Sequence, residues 1–456
     1  MLYDKTNPKS IEDYAKNLIK TLRKYLPQEL QEQSGKKYGQ LLEEYYFYKP
    51  NSDACADFPE AVELKSAAVV RRSKKIRAKE RLVLNIIDYI SVIDESWENS
   101  SFRAKNSLIL LVLYLYEKGG ISFDSTICMV EMFRFSDYEY DLEIIKKDWE
   151  IIIEKIRKKA HELSEGDTMY LGACTKATAE GSHRKQPRSD IKAKQRAFSF
   201  KQGYMNSVLE KFSNDIRYKQ LFGLSKIKEK TFEEGIKDFF TPYLKKTAYQ
   251  IKLDLGIKSK AKSRYHLIST AILVETVDDI DEFRKAGIKI KTIRLKPNGI
   301  PKEDISFPVF KFKEIITQEW ENSELYELLE NKFLFVVYRM NVKKEADFAR
   351  MSPEEQDKHL IFDKAILWNA PGWDIENKAR KTWENTCGII KKGVKLEEKE
   401  GRTFNNLPSK SETDMIHVRP HGQNKEDTDE LPDGRLLTKQ CFWFNNDYIG
   451  EQIRNI

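Results

Sequence analysis

The chain has 456 residues, of which 40% are hydrophobic and 33% charged, and its formal net charge is +7. That length exceeds what one hydrophobic core supports, so two domains are expected, and the apolar content excludes a wholly disordered chain. No apolar run is long enough to span a bilayer, and Met1-Leu2-Tyr3-Asp4-Lys5 lacks the pattern of a signal peptide; a cytoplasmic protein without a membrane partner is expected.

The first informative element is Asp57-Phe58-Pro59-Glu60-Ala61-Val62-Glu63-Leu64-Lys65. Val-Glu-Leu-Lys alternates like a strand, so Glu63 and Lys65 share one face while Val62 and Leu64 share the other. Asp57, from the preceding turn, can then converge with Glu63 on a divalent cation, with Lys65 beside them. Such a triplet also suits an exposed strand with a plain ion pair. Next comes a basic run, Arg71, Arg72, Lys74, Lys75, Arg77, Lys79 and Arg81, and then Leu108 to Tyr116, which reads as a buried strand. Lys147-Asp148-Trp149-Glu150 lies in an amphipathic helix pattern. A second basic run from Lys176 to Lys201 ends in Phe198, Phe200 and Tyr204. Each run alone suits a solvated surface; two in the same half favour a polyanionic partner. Phe198 and Phe200 read as same-face core residues of a strand.

Ser225 to Lys230 is polar and charged ahead of the amphipathic stretch from Phe232 to Leu244, so the domain break is placed at 1–220 and 221–456. Landmarks then return in the same order. Trp97-Glu98-Asn99-Ser100 recurs as Trp320-Glu321-Asn322-Ser323, each ahead of an apolar strand, the second being Phe333 to Tyr338. Lys381-Thr382-Trp383-Glu384 echoes the helix around Trp149. Lys194-Gln195, Phe198-Ser199-Phe200 and Tyr204 return as Lys439-Gln440, Phe442-Trp443-Phe444 and Tyr448. The chain therefore reads as two diverged copies of one unit. In the second copy Glu282 and Lys289 stand where the first has Asp57 and Glu63. A cation in place of a metal ligand repels the metal, so the second copy is expected to be chemically dead. The acidic run Glu397 to Glu400 reads as a solvated loop.

Five scattered cysteines, Cys55, Cys128, Cys174, Cys387 and Cys441, form no C-x-x-C pair, which excludes a zinc ribbon and argues against a disulfide framework. His417 and His421 are four apart, but Val418-Arg419-Pro420 breaks a helix and no glutamate is placed for a metalloprotease. Any metal site is expected to use oxygen ligands, which suit magnesium, manganese or calcium.

Asp57-Phe58 followed by Val62-Glu63-Leu64-Lys65 resembles the active-site segment of MutH, the mismatch-repair endonuclease. The whole chain is similar to the MutH-like type II restriction endonucleases of the Sau type, which cut GATC. The likeness includes Lys79 to Asn85, Asp148-Trp149-Glu150, Ala160 to Gly166, Asp190 to Phe198, Ile416 to His421 and Phe442 to Ile449. This resemblance implies a mixed α/β fold: two tandem restriction-endonuclease-like domains, each a central mixed sheet flanked by helices. It implies a catalytic domain over 1–220 and a catalytically dead, DNA-binding effector domain over 221–456. The implied activity is hydrolysis of double-stranded DNA with Mg²⁺, for which Mn²⁺ can substitute, and with DNA-induced self-association as a further expectation.

Implied metal ligands are Asp57, Glu63 and the carbonyl of Leu64, with Lys65, Glu43 and Lys105 completing the catalytic set. Readout of base edges would fall to Lys176, Arg196, Lys201 and Tyr204 in the first copy, and to Arg419, His421, Lys439 and Tyr448 in the second. The chain departs from the family pattern in one respect, for the glycine expected before Val-Glu-Leu-Lys is absent and the Asp57–Glu63 spacing is one shorter. A tighter turn, or help from Glu60, is expected there. A nicking repair nuclease and a non-catalytic DNA-binding regulator are the alternative readings.

Overall fold

The chain divides into two units: unit 1 is Met1–His161, Asp167–Glu229 and Asp281–Gly287, and unit 2 is Glu162–Gly166, Lys230–Ile280 and Ile288–Ile456. The structure is a computed structural model that describes residues 3–19, 39, 42–47, 55–72, 75–116, 127–176, 183–213, 219–273, 280–399 and 402–456. Each unit borrows a short segment from the other half of the sequence.

In unit 1 the first sheet has the order β2-β1-β4-β5, with β1 (Val62–Arg72), β2 (Lys75–Ala78), β4 (Leu108–Leu115) and β5 (Ile127–Arg134). Strand β1 runs parallel to β4, Glu63 opposite Ile109, while β5 returns antiparallel and β2 covers only the far end of β1 from Val69 onward. The apolar run predicted as a buried strand is β4, buried on both faces as expected for the interior of a covered sheet. A second, antiparallel sheet has the order β3-β9-β6, with β3 (Leu82–Ile86), β6 (Leu171–Thr175) and β9 (Arg196–Phe200); a hairpin of β7 (His183–Gln186) and β8 (Ser189–Lys194) carries part of the second basic run. The helix Glu139–Lys159 buries Ile145, Trp149, Ile152 and Ile156, the i, i+3, i+4 stripe of an amphipathic helix. Acids at its start and Arg157, Lys158 and Lys159 at its end complement the helix dipole.

Unit 2 repeats this plan. Strand β10 (Lys289–Leu295) pairs parallel with β12 (Lys332–Met340), which pairs antiparallel with β13 (Leu360–Asn369). The second sheet, β11 (Ile305–Phe310), β19 (Gln440–Phe444) and β16 (Ile416–Pro420), has the connectivity of β3-β9-β6. The hairpin of β17 (Thr428–Glu430) and β18 (Leu436–Thr438) stands for β7 and β8. The strand β16 holds His417 and explains why the histidine pair does not lie on a helix.

The repeated Trp-Glu-Asn-Ser motif has a structural purpose. Ser100 Oγ donates to the Trp97 carbonyl and accepts from the Arg103 amide, capping the helix Ser101–Asn106. Ser323 does the same with Trp320 and Tyr326 at the helix Glu324–Leu329. Trp97 packs against Trp149 with centroids 5.9 Å apart, and Trp320 against Trp383 at 5.5 Å. Two expectations are corrected. Glu397 to Lys399 is not a loop but strand β14 (Leu396–Lys399), hydrogen-bonded to β15 (Arg402–Asn405). The pairing of Lys194-Gln195 with Lys439-Gln440 is one residue out of register. The Lys176 amide donates to the Gln195 carbonyl just as the His421 amide donates to that of Lys439, so Gln195 matches Lys439.

Candidate active site

Strand β1 emerges from a turn that ends at Ala61, a non-glycine residue with φ of 56°. The equivalent position before β10 is Gly287, φ 69°. Left-handed backbone is therefore required here whichever residue is present, and alanine adopts it at a steric cost. The Phe58 amide donates to the Val62 carbonyl and closes the turn. This accommodates the shortened spacing: Asp57 is buried, and its carboxylate accepts from the Leu64 amide at 2.8 Å. Glu60 is exposed and stays out of the site.

Because the N–H and C=O of a strand residue point to the same side, the Leu64 carbonyl faces the edge where Asp57 lies, away from β4. Val62 and Leu64 pack into the core with Leu42, Phe47 and Phe58. That packing holds Glu63 on the opposite face, 2% exposed although it is a carboxylate. Lys65 Nζ donates to Glu63 Oε1 at 2.6 Å, and Lys105, from the helix Ser101–Asn106, lies 3.7 Å from the same oxygen. Glu63 Oε2 is buried with no hydrogen-bond partner among the described residues. Glu43, on a π-helical turn at Leu42–Tyr46, feels the charges of Asp57, Lys65, Glu63 and Lys105. The structure thus brings Asp57, Glu63, Lys65, Glu43 and Lys105 together.

Burial raises the Glu63 carboxyl above the ordinary carboxylate range, with Lys65 pulling the other way and Asp57 adding to the rise. Glu43 is pushed up to about 7, first by burial and then by the charge on Asp57. Burial that raises both Glu63 and Glu43, together with a buried Glu63 oxygen that has no hydrogen-bond partner among the described residues, suits a bound cation. No three His, Cys, Asp or Glu side chains among the described residues form a ready metal cage. The fitting donors are two carboxylates and the Leu64 carbonyl, an all-oxygen set of the kind magnesium takes alongside water.

In unit 2, Lys289 stands opposite Phe333 in the register that Glu63 holds opposite Ile109. Glu282 is fully buried within unit 1. There its carboxylate accepts from the Leu221 amide at 2.9 Å and from the Tyr140 hydroxyl. The second copy thus has a lysine at the register of Glu63, and its Glu282 carboxylate is engaged by Leu221 and Tyr140.

The residues expected to read DNA separate into two groups. Lys176 is exposed at the end of β6, and His421 occupies the matching position after β16. Arg419 is exposed, with its guanidinium 5.1 Å over the Trp443 ring, and the His421 ring meets the other edge of that indole at 5.1 Å. Lys439 is half-buried and paired with Asp427 at 2.5 Å. The others are interior. Arg196 is 4% exposed and donates to the Ala173 carbonyl at 2.6 Å; Lys201 donates to that of Thr168 at 2.6 Å. Tyr204 is buried in a stack on Tyr170, and the buried Tyr448 hydroxyl donates to Asp374 at 2.8 Å. Arg196, Lys201, Tyr204 and Tyr448 are corrected to structural roles, because a duplex cannot reach them. Trp443 was missed by the sequence reading. Its signal was a tryptophan at the partly exposed position of an otherwise buried strand.

The family described as DNA mismatch repair enzyme MutH matches residues 46–148 and 276–369. These two segments contain β1 to β5 and β10 to β13, so each unit contributes its first sheet to the match. The type II restriction enzyme Sau3AI of Staphylococcus aureus is 37% identical over 473 aligned positions, covering 93% of this chain and 93% of that enzyme. No helix among the described residues is long and apolar enough to cross a membrane. With its duplicated MutH-like fold and this near end-to-end likeness, the chain belongs to the Sau3AI-like type II restriction endonucleases, hydrolases of DNA.

Proposed function

We propose that unit 1 cuts double-stranded DNA at GATC with a divalent cation, Mg²⁺ or in its place Mn²⁺, and that unit 2 binds a second GATC site and activates the cut. The observation that carries this reading is the gathering of Asp57, Glu63, Lys65, Glu43 and Lys105 at β1, set against Lys289 at the matching register of β10.

In the reaction a water oxygen attacks phosphorus and the P–O3′ bond breaks, the leaving oxygen ending protonated. Asp57, Glu63 and the Leu64 carbonyl would hold the cation. When bound, it supplies charge neutralisation on the phosphate, an acidified water and stabilisation of the leaving oxygen. Lys65, fixed against Glu63, orients the attacking water and favours its deprotonated form. Lys105 adds positive charge at the same Glu63 oxygen, and Glu43 is the auxiliary acid of the site. Lys176 contacts base edges at the end of β6; the exposed residues of the β7–β8 hairpin contact phosphates, which position the duplex without specifying it. In unit 2, Arg419, His421 and Lys439 take the corresponding part, with Trp443 as a packing platform.

Replacing Glu63 by alanine in the full chain tests the assignment. Cleavage should fall by more than about 10³-fold, some 4 kcal/mol of barrier, while binding to a GATC duplex stays within a few-fold. Residual metal-dependent cutting near the parent rate would move the active site elsewhere. A linear rather than nicked plasmid product separates the restriction reading from that of a nicking repair nuclease.

A further inference from the structure

Where unit 1 places a carboxylate and a lysine on one strand face, unit 2 places two lysines. Lys289 is exposed and Lys291 half-buried, two residues apart on the same face of β10. In unit 1 the matching Lys65 is neutralised by Glu63 at 2.6 Å. Neither Lys289 nor Lys291 makes an ion pair among the described residues, and burial together with the charge of Lys289 lowers the pKa of Lys291. No carboxylate offsets that effect.

Lys291 also lines a cavity of about 180 Å³ along β10, walled by Thr292, Arg294, Pro301, Glu303 and Asp304. The carboxylates there are already engaged: Glu303 by Arg294, and Asp304 by Lys410 at 2.9 Å and by the Asn446 amide at 2.8 Å. Two ammonium groups on one strand face, with no carboxylate partner among the described residues, make a site that lacks an anion.

We propose that Lys289 and Lys291 form a phosphate clamp, gripping a backbone phosphate of effector DNA at the place where unit 1 holds its cation. The clamp rests on the reading of unit 2 as a DNA-binding effector. Loss of the carboxylate is then a gain of function: the duplex is held directly by charge, where unit 1 holds it through a metal. The contact is blind to sequence, and base readout stays with Arg419 and His421.

The test uses the full chain and a one-site substrate, with a short uncleavable GATC duplex added in trans as activator. In the Lys289→Gln/Lys291→Gln variant, the duplex concentration giving half-maximal stimulation should rise by roughly tenfold or more. The slope of log K against log salt should shrink by about one to two, one phosphate contact per lysine at most. A duplex bearing a neutral methylphosphonate at the clamped position should reproduce that loss in the parent and add nothing in the variant. Lys289→Arg/Lys291→Arg, which keeps the charge, should keep the stimulation, and it guards against misfolding of the glutamine variant.

Unchanged stimulation in the glutamine variant, with stimulation weakened by Arg419→Ala, overturns the clamp and leaves the effector reading standing. No stimulation of the parent by any GATC duplex removes the effector reading and the clamp with it. If inorganic phosphate raises the parent's melting temperature through these lysines while DNA activation ignores them, the site takes free phosphate and the DNA clamp is wrong.

Discussion

The two units share what folds them and differ in what does chemistry. Both have a parallel strand pair opened by a left-handed residue, a serine-capped helix beside a tryptophan pair, and an antiparallel sheet followed by an exposed residue, Lys176 or His421. At one register position of that shared frame, the side chain is Glu63 in unit 1 and Lys289 in unit 2. Packing is set by many buried residues acting together, whereas a metal site turns on the sign of one or two charges. A frame can therefore lose catalysis through a change that costs its stability almost nothing.

That comparison can be broken or sharpened by measurement, beginning with the largest effect. Asp148 is buried and accepts from the amides of Met169, Tyr170 and Leu171 at 2.7, 2.6 and 2.9 Å. The matching Thr382 only donates to the Lys378 carbonyl at 3.3 Å. Asp148→Ala should cost about 3–5 kcal/mol by stranding buried amides, and Thr382→Ala about 1 kcal/mol or less. Equal losses by chemical denaturation would mean that the two frames are not held in the different ways described. Next is the coupling between units. A one-site substrate should be cut slowly and accelerated about 5–150-fold by a GATC duplex in trans, a coupling of about 1–3 kcal/mol. Arg419→Ala with Lys439→Ala should abolish the acceleration but not the basal rate. Loss of basal cleavage in that variant would make unit 2 part of the catalytic assembly.

Smaller effects probe the turn and the pH response. Ala61 is exposed and left-handed, so Ala61→Gly should stabilise by about 1 kcal/mol, and Gly287→Ala should destabilise by a similar amount. A destabilised Ala61→Gly would show that the turn is not strained. In unit 2, burial lowers the pKa of His417 from its ordinary 6.5, and its ring lies 2.6 Å from Asn445 Oδ1. The folded imidazole stays neutral while the unfolded one gains a proton, so this stability is present above pH 6.5 and lost as pH falls below it. Melting curves between about pH 7.5 and 5.5 should flatten in His417→Gln; an unchanged pH slope would place the acid sensitivity in other groups.

Much of this architecture was legible in the sequence because it is written in periodicity and repetition. The Trp-Glu-Asn-Ser motif is a helix cap, and caps have local signatures. The alternation of Val62 to Lys65 gave the strand face directly. The reading failed where burial runs against residue type. Arg196, Lys201, Tyr204 and Tyr448 look like DNA contacts by composition, yet Arg196, Lys201 and Tyr448 spend their polar atoms on interior carbonyls and a carboxylate, and Tyr204 is buried in a stack on Tyr170. All five residues of β9 are buried, so alternation along it carries no directional information. Ownership of 162–166 and 281–287 is equally invisible, because it depends on contacts between distant parts of the chain.

That ownership bears on how the protein comes to be made. Unit 1 includes Asp281–Gly287, where Lys285 pairs with Asp141 at 2.6 Å and Glu282 accepts from Leu221. A ribosome adding about 5–20 residues per second will have finished the first half several seconds before these residues emerge. Unit 1 cannot be completed in that interval, so a nascent or truncated chain ending near residue 230 lacks part of the unit that holds the Asp57, Glu63 and Lys65 cluster.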